Sequence, residues 1–525
     1  MQREFSNLKD RQFDLLICGG GIYGAWTAYD AALRGLQVAI VDQGDWASGT
    51  SSASSKLIHG GLRYLETLDF KLVKKALAER ELLLKIAPHR VWPLRFGIPV
   101  YTDSRVGRLQ LKIGLMLYDL LGSNKNSSQS HRFFNRHQFI QQFPSLSRSN
   151  LTVGFTYTDA QTDDARLVLE LIDGAVSAGA VCLNYCEISR YLENNAQICG
   201  AEVIDLISNE SLEVYAKQTV NTSGRWMTEL EEVNPWCRLS KGVHLVLPKV
   251  LDDEALLLTA KSDGRVFFII PWYGLTLIGT TDTNYSGNLA QLNVEQDEID
   301  YLLNEANHFL PDANWKQDDI LGQFAGLRVL QQSEKSSPSS ISRDWELKTL
   351  QNGLHISLGG KITSAREDAA DIVDMVMMRL GLDQSCQTQD RNFPWKPPES
   401  YSQWHKTNMD KAVNLNIDSD SAHWLLQRHG NRVAQIFRLI ENQPDLVQRI
   451  TTDTPFILAD LVFCAQQEMV VHLEDLLRRR IPILILTKMR PSKLRDLAKI
   501  TAILLGWDET RTNTEVDYCM QKWLQ

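Results

Sequence analysis

No two of the eight cysteines (Cys18, Cys182, Cys186, Cys199, Cys237, Cys386, Cys464 and Cys519) stand in a CxxC pair. That scatter argues against a zinc site, so no metal is expected, and it fits a reducing compartment better than a disulfide framework. Long apolar runs are missing as well. The greasiest stretch, IPILILT at 481–487, falls far short of the roughly 20 residues a spanning helix needs. The first dozen residues, MQREFSNLKDRQ, hold no apolar h-region, so no signal peptide is expected. Surplus positive charge is absent: the formal net charge of −9 gives no footing for bulk nucleic-acid binding. What remains is a 525-residue chain, 43% hydrophobic and 23% charged, with the make-up of a soluble protein of two or three domains.

Glycine is placed where a nucleotide needs it. FDLLIC (13–18) reads as a short strand, Gly19, Gly21 and Gly24 follow with GxGxxG spacing, AWTAYDAALRG reads as a helix ended by Gly35, and LQVAIVD is a second strand closing on Asp42. Gly19 makes the tight turn, Gly21 lets a pyrophosphate approach the backbone, and Gly24 lets helix pack on strand. The helix N-terminus offers free N–H groups and partial positive charge, and Asp42 can accept from ribose hydroxyls. A lone glycine turn also occurs in unrelated α/β proteins. Here strand, turn, helix, strand and acid are all in register, which predicts a dinucleotide site without separating NAD from FAD.

Nine residues past Asp42 comes SSASSKLIHGGLRYLE (51–66), which suits neither a core helix nor a plain strand. Alone it could be a polar loop entering a helix. With its preceding threonine it resembles, almost residue for residue, the segment after the nucleotide fold in FAD-dependent glycerol-3-phosphate dehydrogenases. The resemblance continues in family order through DDARLVL (163–169), KGVHLVLP (241–248), IIPWYGLTLIGTTDTNYSG (269–287), AGLRVL (325–330), SPSSISRDWEL (337–347), LGGKITSAR (358–366) and EMVVHLEDLLRRR (468–480). The last block is similar to the family's C-terminal helical cap.

The resemblance implies a mixed α/β and α+β fold. A Rossmann-like FAD-binding domain (about 13–100, 150–230 and 345–385) interleaves with an antiparallel-sheet substrate domain (about 101–149 and 231–344). Together they fill 1–385, and a helical domain follows over 386–525 after the proline-rich RNFPWKPPES linker. Polar loops are expected at 123–130 and 331–340.

It also implies FAD as cofactor and a set of site residues. Gly60 and Gly61 would let backbone lie against the isoalloxazine ring. Ser52, Ser54, Ser55 and Lys56 would donate to pyrophosphate or ring atoms, with Gly224, Gly360, Lys361 and Thr363 completing the cofactor set. His59, Arg63 and Tyr64 would face flavin or substrate. Arg328 and Arg343 sit where the family places substrate-binding arginines, whose planar forks suit a phosphate dianion. Oxidation of a secondary alcohol needs a proton acceptor near neutrality, and His59 and His244 are both candidates. Lys361 stands at what reads as the start of a helix (362–380), where a cation and the helix dipole would meet negative charge on the reduced ring. Each has a duller reading: surface salt bridges for the arginines, a hydrogen-bonded strand histidine for His244, an exposed helix-start lysine for Lys361.

Three blocks depart from the pattern. TTYR reads Thr363-Ser364-Ala365-Arg366, GVRPL reads Gly326-Leu327-Arg328-Val329-Leu330, and NATGPW reads Asn221-Thr222-Ser223-Gly224-Arg225-Trp226. These swaps touch substrate geometry more than cofactor binding. Charge is also uneven. Residues 71–125 carry eleven Lys/Arg against four Asp/Glu, interleaved with two amphipathic stretches. Two packed helices with solvated faces would explain that. The resemblance implies a monotopic surface on anionic lipid at the inner face of the cytoplasmic membrane, passing electrons to quinone, and is compatible with a homodimer.

The implied activity is oxidation of sn-glycerol 3-phosphate to dihydroxyacetone phosphate. Two alternatives stand beside it. An FAD-dependent amine or amino-acid oxidase of the same fold would need a carboxylate clamp and a neutral amine pocket. A flavin-binding protein without catalysis would explain Ala365 in place of the family's tyrosine.

Overall fold

A computed structural model describes residues 1–66, 68–122, 130–331, 345–398 and 400–524. The two expected polar loops fall almost wholly outside these residues, and so does Arg343.

Two sheets organise the chain. In the first, the strands run Glu346–Thr349, His355–Leu358, Ser211–Asn221, Gln12–Cys18, Val38–Val41 and Val181–Leu183, with the hairpin Cys186–Asn194 and Gln197–Asp205 added beside Ser211–Asn221. From His355–Leu358 to Val181–Leu183 the pairings are parallel. Such strands are covered on both faces, which is why Leu15, Leu16 and Ile17, and Val38 to Val41, are buried without alternation. The helix Ile22–Leu33 packs on this sheet against Asp164–Ser177 and Ala365–Leu380.

The second sheet has ten strands, nearly all antiparallel. Its spine is Cys237–Leu247, flanked by Gly322–Gln331, Leu275–Gly279 and Thr283–Tyr285. Leu57–Ile58, Val91–Tyr101 and Leu151–Thr162 also belong to it, whereas the sequence assigned those segments to the nucleotide domain. The chain crosses between the sheets as many times as the linear segments suggest, but it leaves the first sheet earlier, before Leu57, and returns to it later, after Thr162. The segment 51–66 runs along that first crossing.

Beyond the linker come the helices Tyr401–Asn414, Ser419–His429, Val433–Asn442, Leu458–Gln467, Pro491–Leu505 and Glu509–Trp523. Gly430, at φ +51°, divides the second from the third, because a Cβ there would overlap the carbonyl of Trp395. The block 468–480 is helical only toward its end, as a π-type turn over Asp475–Arg480. Arg478, Arg479 and Arg480 are all buried: Arg479 and Arg480 pair with Asp45, and Arg478 donates to the Ser52 carbonyl at 3.3 Å. The C-terminal domain therefore props the loop that follows Asp42.

The first amphipathic stretch forms Phe70–Ile86 and packs inward through Val73, Leu77 and Leu83. The second forms Arg108–Leu121, of which only Leu115 and Tyr118 are buried. Leu109, Ile113, Met116 and Leu120 are 54–76% exposed. Among the described residues no helix is long and apolar enough to cross a membrane.

Candidate active site

The turn after Gln12–Cys18 behaves as the glycine spacing requires. Gly19 adopts φ +109°, and a Cβ there would come within 2.7 Å of the Ser223 backbone. A Cβ on Gly24 would overlap the Gly19 carbonyl oxygen, so only glycine lets the helix seat on the turn. Gly21 is the helix N-cap and brings no side chain to the free N–H groups, while Ser51 accepts from Ile22 N–H at 2.9 Å. Asp42 accepts from the N–H groups of Gly20 (2.5 Å) and Gly44 (2.8 Å). Burial outweighs these bonds and lifts its carboxyl to about 6.

One cavity of about 950 Å³ opens from this turn and runs between the two sheets. Cys18, Gly19, Gly21, Asp42, Ser223 and Gly224 line one end. Its other walls carry Ser54, Ser55, His59, Gly61, Arg63, Tyr64, His244, Arg328, Gly360 and Lys361. Gly61 (φ +73°) and Gly360 (φ +95°) take the left-handed backbone that glycine tolerates best, and a Cβ on Gly360 would overlap the Tyr23 hydroxyl.

Four expected cofactor contacts lie behind the cavity wall instead. Lys56 is buried and pairs with Asp164 at 2.7 Å while donating to the Ser52 carbonyl, also at 2.7 Å. A lone buried ammonium needs such a counter-ion, and burial still lowers its pKa. Ser52 is buried and accepts from Lys56 and Arg478 through its carbonyl. Gly60 makes room for Leu77 and the Tyr118 hydroxyl rather than for a ring. Thr363 is buried and accepts from His59 N–H at 3.1 Å, so it holds the backbone of a lining residue. Ser54 does line the cavity, but its hydroxyl donates to Asp164 at 2.7 Å.

At the far end His244 is buried on the strand Cys237–Leu247, stacked on Phe324 with Nε2 2.8 Å from Ser55 Oγ. Among the described residues its Nδ1 has no hydrogen-bond partner. Burial, then the charges of Arg328 and Lys56, hold its pKa well below the usual histidine value, so the ring is neutral. Arg328 donates to Thr280 Oγ1 at 2.9 Å and lies 3.4 Å from the Asp282 carboxylate. Gly242 makes space for that guanidinium, since a Cβ there would overlap it. Lys361 precedes the helix Ala365–Leu380 by four residues rather than starting it. Its backbone N–H donates to the Tyr23 hydroxyl at 2.9 Å, and its ammonium sits 4.3 Å from the Tyr64 ring centroid. Ala365 is fully buried in the first turn of that helix, so its methyl packs in the core.

The fit to a dinucleotide rests on the geometry: a helix whose N-cap is a glycine, two motif glycines, Gly19 and Gly24, that a Cβ would spoil, and a cavity lined both by that turn and by a second cluster of polar groups. A family model described as "FAD dependent oxidoreductase" matches residues 14–361, and one described as "C-terminal domain of alpha-glycerophosphate oxidase" matches 398–512. The aerobic glycerol-3-phosphate dehydrogenase of Staphylococcus epidermidis is 35% identical, covering 90% of this chain and 87% of its own. The chain belongs to the FAD-dependent glycerol-3-phosphate dehydrogenase family. A second member, the glycerol-3-phosphate dehydrogenase of Synechocystis sp., is 36% identical over 98% of this chain and 97% of its own. The crystal structure of the Bacillus halodurans enzyme complexed with FAD superposes with a TM-score of 0.81 at 28% identity, covering 99% and 96% of the two chains. FAD is thus the cofactor of this fold.

Some lining residues carried no warning in the sequence. The strand Cys186–Asn194 contributes Glu187, Ser189, Arg190 and Tyr191 beside Asp42, and no motif in its residues singles it out. Thr50, whose hydroxyl donates to Leu327 O at 2.5 Å, ties the nucleotide loop to the strand bearing Arg328. Away from the cavity, His429, Asp460 and Cys464 lie close enough together to hold a metal ion. Arg428 and Arg166 already balance that cluster, Arg428 by pairing directly with Asp460.

Proposed function

We propose that the chain oxidises sn-glycerol 3-phosphate to dihydroxyacetone phosphate and passes the electrons on to a membrane quinone. The observation that carries this reading is the single cavity joining the Gly19–Gly21 turn to His244, Arg328 and Lys361. FAD, when bound, would supply the hydride acceptor for oxidation at C2. Everything else falls to side chains.

Arg328 is the phosphate receptor, with Arg343 as its partner by family resemblance. A phosphate monoester carries close to two negative charges at neutral pH, and desolvating it requires cations and donors in place of water. Lys361 places a further cation at the same end, with Arg63 and Tyr64 flanking it. The C2 hydroxyl proton needs an acceptor. His244 is kept neutral, and is therefore able to take a proton, with the Ser55 hydroxyl bonded to its Nε2 as the route in. The substrate dianion helps here: docked on Arg328, it cancels one of the charges that depress His244 and raises that pKa toward neutrality. His59 lines the same space and is the other candidate base.

The enzyme acts as a peripheral, monotopic protein on the inner face of the cytoplasmic membrane, with the apolar stripe of Arg108–Leu121 as its contact with anionic lipid. The deciding experiment is anaerobic addition of glycerol 3-phosphate to the FAD-loaded protein. Bleaching of the flavin band supports dehydrogenation of this substrate. Bleaching by amino acids instead points to the oxidase alternative, and no bleaching by either points to a binding protein.

A further inference from the structure

The turn after Ser211–Asn221 carries arginine at 225, where the family motif has proline. Proline brings neither charge nor donor, whereas a guanidinium brings both. Arg225 lines the cavity and stacks on Trp226, 4.1 Å from the ring centroid. Among the described residues it forms no ion pair, and its buried Nε–H has no hydrogen-bond partner. A largely buried guanidinium without counter-charge is unfavourable, and burial draws the pKa of Arg225 below the usual arginine value. A cation kept in that condition at a cavity wall calls for an anion.

Its surroundings say which one. Thr222 donates from its N–H to Cys18 O and from its hydroxyl to Gly19 O, both at 2.8 Å, so this turn is bound to the first glycine of the nucleotide motif. The Ser223 backbone packs directly on Gly19. Trp226 abuts Gly49, two residues before Ser51, the acceptor for Ile22 N–H. Both neighbouring loops therefore belong to the end where a helix N-terminus offers N–H groups to phosphate. Arg328 is held elsewhere, by Thr280 and Asp282.

We propose that Arg225 is a diphosphate-binding residue particular to this chain, its guanidinium donating to phosphate oxygens of FAD where the family motif offers only backbone. The inference rests on the FAD assignment and not on the proposed substrate. Phosphate is the shared chemistry, and the substrate's own phosphate is the competing source.

Apo-protein of wild type, Arg225→Ala, Arg225→Lys and Arg225→Pro is titrated with FAD by flavin fluorescence. The FAD-saturated enzymes are then titrated with glycerol 3-phosphate by flavin absorbance. Loss of a charge-assisted contact should weaken FAD binding of Arg225→Ala about ten- to a hundredfold and flatten its salt dependence. Lys should fall between, and Pro should match Ala. The dissociation constant of glycerol 3-phosphate from saturated enzyme should stay within twofold. Unchanged FAD affinity in Arg225→Ala overturns the proposal. If FAD affinity holds and glycerol 3-phosphate binding weakens, the guanidinium reads the substrate phosphate and the diphosphate assignment falls. Equal melting temperatures of the apo forms separate these results from misfolding, and the Lys variant supplies the readout if Ala fails to fold. If wild type ignores glycerol 3-phosphate, the substrate reading fails while the FAD titration still decides the role of Arg225.

Discussion

Ser55 Oγ lies 2.8 Å from His244 Nε2, which joins the 51–66 segment to the central strand of the second sheet at the cavity wall. If this pair moves the substrate proton, the two residues should fail differently. His244→Asn should lower kcat by about 10²- to 10⁴-fold, the usual range for a lost general base. Ser55→Ala should lower it less, with little change in KM, because the imidazole remains. Equal and near-complete activity in both variants would shift the role to His59. Steady-state kinetics with a dye acceptor make the comparison.

Arg328 is expected to set specificity through phosphate. Arg328→Ala should mainly raise KM for glycerol 3-phosphate, because the phosphate is remote from C2 and its binding is largely uniform. Some loss of kcat should follow, since remote binding energy also positions C2. Arg343→Ala should behave alike. Gly242→Ala offers a subtler probe: the new methyl overlaps the guanidinium, so the cation stays but moves. It should reproduce part of the KM rise. Glycerol leaves the cations without their anion and should be a very poor substrate; equal turnover of glycerol would sink the clamp.

The parts of this site legible in sequence are those where chemistry forces a residue type at fixed spacing. Gly19, Gly21, Gly24 and Asp42 were placed because a turn, a close approach and a seated helix leave no alternative. The two histidines and Arg328 came from blocks whose order along the chain matched a family. What could not be read was direction. Lys56 and Ser55 are neighbours, yet one points to Asp164 and the other to His244. Lys56 stands at φ +60°, a backbone twist that a non-glycine sequence does not announce. Burial of the 478–480 arginines was equally hidden, because a basic triplet normally means solvent and its partner Asp45 lies more than 400 residues away.

FAD should be held without a covalent bond. Acid precipitation should release it to the supernatant, and flavin retained in the pellet would contradict this. Gly24→Ala tests the seat itself. The added methyl overlaps the Gly19 carbonyl, and overpacking of this kind costs about 1–3 kcal/mol. The purified variant should carry much less flavin than wild type, as measured by its absorbance ratio to protein.

His355 makes stability depend on pH. It is fully buried on the strand His355–Leu358, bonded to Thr349 and Gln218, and burial with the charge of Arg379 lowers its pKa to about 4. The unfolded chain titrates near 6.5, so between 6.5 and 4 the unfolded state binds the extra proton. Stability should therefore fall as pH falls through that window, by up to about 1.4 kcal/mol per unit from this residue. His355→Gln removes the titration and keeps an amide for the hydrogen bonds. Its denaturant midpoint should lose less between pH 6.5 and 4 than wild type does, and an identical loss would show that the slope comes from other groups.

The last prediction concerns the membrane. Leu109, Ile113, Met116 and Leu120 recur at helical spacing on Arg108–Leu121, and each is more than half exposed. Leu68 is exposed too, and Arg105, Arg108 and Lys112 lie within or just before the same helix. A row of large apolar side chains left in water beside basic ones is the pattern of a helix lying in a lipid interface. Apolar insertion and attraction of about 1 kcal/mol per basic residue would act together on an anionic surface. Liposome flotation should bring the wild type up with anionic vesicles. Ile113→Glu with Leu120→Glu puts two carboxylates on the stripe, where they meet both the hydrocarbon and the negative headgroups. That variant should stay at the bottom of the gradient yet keep wild-type dye-linked activity, because neither residue lines the cavity. High salt alone should release only part of the wild type if insertion contributes. Flotation of the double variant at the wild-type level would mean that the stripe is not the membrane contact.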